Sequence, residues 1–161
     1  MSVEPLLNVL QYLLLSLWVG AMFAFGALYA PVLFRSLPSR DQAGTIAGET
    51  LARIDALGLV TGGIMAVITV MQTLLSGWHA IDLGRLLISI VMLALVLFST
   101  ITVRQRINAI RQEMGRPIDE YAEDHPLRVE HNKQHRLSRL IFSGNMALGA
   151  VLIILSALRP V

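Results

Sequence analysis

From Leu6 to Phe34 the chain runs without one charged side chain. No strand needs such a stretch, and an α-helix needs only about 20 apolar residues to cross a bilayer. Three more runs of the same kind follow, at 56–75, 83–103 and 140–158, interrupted only by Arg85. With 55% hydrophobic and 15% charged residues in 161, a soluble domain could not hide this much apolar surface. In hydrocarbon every backbone N–H and C=O must find a partner within the protein, so four such runs predict helices. The expected fold is all-α: one domain, residues 1–161, forming a membrane-embedded antiparallel four-helix bundle with spans at 6–34, 56–75, 83–103 and 140–158. The opening MSVEP has no basic region and the first run is too long for a cleaved signal, so it is expected to stay as a membrane helix.

Basic residues set the expected orientation. Arg35, Arg40 and Arg53 flank the first connection, and Arg104, Arg106, Arg111, Arg116, Arg128, Lys133, Arg136 and Arg139 fill the third. Only Arg85 and Arg159 of the 13 Lys and Arg residues fall on the other side. The positive-inside rule then places loops 1–2 and 3–4 in the cytoplasm and both termini outside, in a plasma (inner) membrane. Basic residues arranged as topology signals also argue against a nucleic-acid partner. The chain has no cysteine, which excludes disulfides, thiolate metal sites and thiol catalysis.

Breakers fall between the runs. Pro31 should kink the first helix or loosen its last turn. Ser39 with Gln42 fits a capping box for a helix that starts near residue 41. Asp82 is the expected N-cap after the short turn SGWHAID. Gly115 and Pro117 signal a stop, and Pro126 is a favourable first helical position. The third and fourth helices are therefore expected to project as a cytoplasmic helical hairpin over residues 104–139.

Polar residues inside apolar runs mark the candidate sites. His131, His135, Ser138 and Asn145 recur at helical spacing and share one face with 142 and 149. A polar stripe entering the apolar layer should face the bundle interior, either lining a polar vestibule or hydrogen-bonding a neighbouring helix as glue. Asp55 lies at the start of the second run and needs a cation, with Arg35, Arg53 and His135 as candidates. Gly58 and Gly62 share its face and let another helix approach closely. Gln11 and Gln72 read as interhelical hydrogen bonds, and Arg85 as snorkelling or pairing with Asp82. His131 and His135, four residues apart, could share a metal, although such a site needs a third ligand. No phosphate loop, nucleophile triad or paired catalytic carboxylates occur, so the chain is not expected to be an enzyme.

Two stretches carry a resemblance. SLWVGAMFAFGALYAPVLFRSLP, residues 16–38, is similar to the first helix of the transmembrane protein 205-like family, also catalogued as domain of unknown function 4149. HRLSRLIFSGN, residues 135–145, resembles the histidine–serine–asparagine signature that opens that family's last helix. The resemblance implies four membrane helices, no established activity, and Arg35, His135, Ser138 and Asn145 as positions of interest. Trp18, Gly20 and Pro31 are also distantly similar to elements of four-helix haem and copper membrane proteins. Gln11 stands near the place of a histidine common in those relatives.

The leading expectation is a transporter or channel-like protein for a small solute or ion, embedded in the lipid bilayer and able to form a homo-oligomer. Its pocket would use Arg35, Asp55, His135, Ser138 and Asn145. No cofactor is expected on this reading. The alternatives are a protein holding haem or a divalent metal through His131 and His135, or a non-catalytic assembly factor acting through residues 104–139.

Overall fold

A computed structural model describes residues 3–77 and 79–158, with no account of the Ser76 side chain, and among these every regular element is a helix. Four helices are long and apolar enough to cross a membrane: α1 (Glu4–Ser36), α2 (Arg40–Ser76), α3 (Ala80–Met114) and α4 (Pro126–Ala157). A short 3₁₀ turn at Ile118–Glu120 lies between α3 and α4.

Local chemistry explains the boundaries. Pro5 occupies the first turn of α1, where its missing N–H costs nothing. Leu37 is extended, and Ser39 Oγ accepts from the N–H groups of Asp41 (3.2 Å) and Gln42 (3.4 Å), which starts α2. Gly77 ends α2 at φ 86°, and Gly115 ends α3 at φ 65°, both in the region open to glycine. Pro126 opens α4, with His125 Nδ1 accepting from the Leu127 N–H at 3.3 Å. Asp82 is not the cap of α3. The helix already begins at Ala80, with His79 at the capping position and Asp82 in the first turn, where a carboxylate still favours the helix dipole.

Pro31 neither ends nor breaks α1, which continues to Ser36. A π-helical turn at Ala24–Tyr29 directly precedes it and loosens the hydrogen-bond ladder where the proline ring would otherwise strike the preceding turn. A second π-helical turn, Ser99–Arg104, interrupts α3.

The interior is thin and lies along the bundle axis. Leu15, Trp18 and Met22 of α1 meet Met65 of α2, Met92 and Val96 of α3 and Leu152 of α4. Large apolar side chains such as Leu13, Leu74, Leu87 and Ile154 face outward. This is the pattern expected where lipid rather than water covers the outer faces.

Length beyond a hydrocarbon core is not confined to α3 and α4. At 37 residues α2 is about 55 Å long at 1.5 Å per residue, against a hydrocarbon core of ~30 Å. Its first turns pack on the end of α3, where Arg111 donates to Thr45 Oγ1 at 3.0 Å and stands 3.7 Å from Asp41. Three helices, α2, α3 and α4, therefore meet at this end of the bundle.

Candidate functional site

Polar groups gather in two layers along the bundle, with the apolar core between them. Three helices carry buried polar residues on both sides of a core residue: Asp55 and Thr69 about Met65 on α2, Arg85 and Ser99 about Met92 on α3, and Asn145 and Ser156 about Leu152 on α4, whereas α1 has Gln11 on one side only, followed by Trp18 and Met22 in the core.

The first layer surrounds Asp55. Its carboxylate accepts from Arg104 Nη2 at 2.5 Å. The Asp55 side chain is 12% exposed and that of Arg104 23%, so this pair is poorly screened by solvent. None of the three partners expected for Asp55 takes that position. Arg35 and Arg53 are exposed, Arg35 makes no ion pair among the described residues, and His135 stacks on His131 instead. Depth arithmetic would have found Arg104. Counted from Gly77, Asp55 lies 22 residues back and Arg104 27 forward, a mismatch of five residues, roughly 7.5 Å, which an arginine side chain can span.

Beside this pair is a cavity of about 10 Å³, room for one water-sized particle, lined by Asp55, Ser99, Ser138 and Asn145 against Met22 and Phe142. Asn145 is 3% exposed, and its Oδ1 meets no hydrogen-bond donor among the described residues. Both π-helical turns border this level. Ser99 opens one, and Phe25 of the other packs edge-on against Phe142, ring centroids 5.6 Å apart. Such turns are frequent at functional sites, because they aim side chains differently from a regular helix.

Of the five expected pocket residues, the structure brings together Asp55, Ser138 and Asn145, and leaves Arg35 and His135 outside the lining. Gly58 and Gly62 face the Trp18 indole of α1, where an added Cβ would collide. His131 is buried and His135 exposed, their rings parallel within 6° and 6.2 Å apart. Among the described residues no three His, Cys, Asp or Glu stand close enough together to hold a metal ion.

The second layer was underread in the sequence. Arg85 is 1% exposed rather than snorkelling, and donates to Asp82 Oδ1 at 2.8 Å, to Gln72 Oε1 at 3.2 Å and to Gln11 Oε1. Gln11 donates onward to Thr69 Oγ1 (3.1 Å), and Gln72 to Asn8 Oδ1 (2.7 Å). The network joins α1, α2 and α3, and beside it Tyr12 donates to the Ser156 carbonyl of α4. Gln11 is thus committed to Arg85 and Thr69.

With the site assembled, comparison with known proteins gives one match. The model of a domain of unknown function, DUF4149, covers residues 13–116. The chain belongs to the DUF4149 family. The matched segment holds most of α1 and all of α2 and α3, and so includes Asp55, Ser99 and Arg104, while Ser138 and Asn145 lie beyond it on α4. No curated protein and no solved structure matches the chain.

Proposed function

We propose that this DUF4149 chain is an integral multi-pass membrane protein that moves a small solute or ion through the polar layer around Asp55 and Asn145. The observation that carries the reading is the water-sized cavity where Asp55, Ser99, Ser138 and Asn145 meet, with the Asn145 Oδ1 buried and unsatisfied. An unpartnered polar atom beside a buried ion pair is costly in an apolar layer, so its retention favours a ligand-handling role. The apolar layer at Trp18, Met65 and Met92 separates this cavity from the Arg85 network, as in a closed pathway with one polar chamber on each side.

Asn8 pairs with Gln72 and Gln11 with Thr69, numbers rising on one helix as they fall on the other, which supports antiparallel helices. With the basic connections cytoplasmic, the Asp55 chamber opens inward and the termini lie outside. The narrower kinship with transmembrane protein 205-like proteins rests on residues 16–38 and 135–145, the second of which carries Ser138 and Asn145.

Flux in proteoliposomes tests the reading. Asn145→Leu removes the lone acceptor and fills the cavity, and is expected to abolish flux while the protein still assembles. Undiminished flux through that variant would exclude the Asp55 chamber as the route.

A further inference from the structure

We propose that the cavity beside Asp55 binds a small monovalent cation of the sodium class through oxygen ligands, with the Arg104 guanidinium as the tethered charge that the cation must displace. The inference rests on the chamber assigned above and names what enters it.

Four side chains lining the cavity supply oxygen: the Asp55 carboxylate, the Ser99 and Ser138 hydroxyls and the Asn145 carbonyl. No histidine lines it, and the only sulfur among its lining side chains is the weakly coordinating Met22 thioether, so the donor set is chiefly oxygen and suits hard cations rather than transition metals. Asn145 gives an independent pointer. It is 97% buried, borders the cavity, and leaves its acceptor without a donor among the described residues. An acceptor of this kind is satisfied by a cation or by a hydrogen-bond donor entering the cavity.

Size and charge select the ligand. About 10 Å³ admits one bare ion or one water, with no space for a hydrated ion. A single carboxylate neutralises one positive charge. A divalent ion would stay uncompensated in the low-dielectric interior, and hard divalent ions also demand six or more oxygens. Arg104 already neutralises Asp55, so a cation can enter only as the guanidinium leaves. The Arg104 side chain is the more exposed partner, and its long stem allows it to withdraw toward the polar end of α3. The ion pair is then an exchange device, in which one positive charge replaces another at Asp55 and the site stays neutral throughout.

The test uses full-length protein in detergent, with sodium chloride against choline chloride at equal ionic strength, reading binding of radioactive sodium and the sodium-dependent shift in melting temperature. Wild type should show a sodium-specific rise. Asp55→Asn should abolish binding, and Asn145→Leu should weaken it at least tenfold. If Asn145→Leu does not fold, Ser138→Ala, which removes one ligand with little change in volume, should weaken binding severalfold. Arg104→Gln should tighten binding about tenfold, because the competing charge is gone, whereas a merely structural Arg104 would give weaker binding when removed. No sodium-specific binding, or binding indifferent to these four positions, overturns the proposal. Flux of another solute that still requires Asn145 would, without sodium binding, refute the cation and leave the pathway intact. Sodium binding without any flux would do the reverse.

Discussion

Replacing Arg85 with methionine removes the hub of the second polar layer and leaves a side chain of similar length. Arg85 is 1% exposed, and its guanidinium supplies donors to Asp82, Gln11 and Gln72. Breaking a buried pair by deleting one partner costs about 3–5 kcal/mol, because the other charge stays buried with its main counterion gone, here with the His79 imidazole 3.5 Å from Asp82 as a weaker neighbour. Two glutamine oxygens lose a donor as well, each worth on the order of 1–3 kcal/mol if nothing replaces it, although the three losses overlap and do not add. A total near 4 kcal/mol is a large part of the 5–15 kcal/mol that typically separates folded from unfolded protein. Titration with denaturing detergent in mixed micelles, followed by fluorescence of the core Trp18, measures the difference. Adding Asp82→Asn to Arg85→Met should restore roughly 1–2 kcal/mol, since the uncompensated charge disappears while the shape is retained. A loss below about 1 kcal/mol for Arg85→Met, or no recovery in the double variant, would refute the claim that this pair is buried and mutually dependent.

Two further outcomes follow from packing and capping. Gly58→Ala places a methyl against the buried Trp18 indole and should cost about 1–3 kcal/mol, whereas Gly63→Ala, with no heavy atom within 4 Å of its added carbon, should be close to neutral in the same titration. Ser39→Ala removes the side-chain acceptor that starts α2 and should cost about 1 kcal/mol, with hydrogen exchange rising at the amides of Asp41 and Gln42.

Much of the fold was legible in the chain. Runs free of charge mark the four helices, and Pro38, Gly77, Gly115 and Pro126 mark where they stop and start, because those residues act through local backbone chemistry. The stripe on α4 was legible for the same reason: helical spacing alone brings Ser138, Phe142 and Asn145 to the interior. Pairing between helices was legible only by counting depth across the Gly77 turn, and not from any one helix. Asp55 meets Arg104 because of how α2 and α3 align in depth and rotation, which no single-helix pattern encodes. The pairing of Arg85 with Asp82 was legible from their spacing, but its burial was not, because hydropathy measures a segment's mean and does not say which face turns inward. Its partners Gln11 and Gln72 lie on two other helices. The π-helical turns at Ala24–Tyr29 and Ser99–Arg104 left no local signal beyond the nearness of Pro31 to the first.

The central claim is that the cavity around Asp55 and Asn145 is a chamber reached from the cytoplasmic side. The chain contains no cysteine, so a single introduced thiol reports without background. Ser138→Cys, treated with a membrane-impermeant thiol reagent in oriented vesicles, measures that access directly. Labelling from the cytoplasmic face alone is the predicted result, with no modification from the other face, because the Trp18–Met65–Met92 layer blocks the way. A thiol that reacts only from the opposite face, or from neither, would contradict the account.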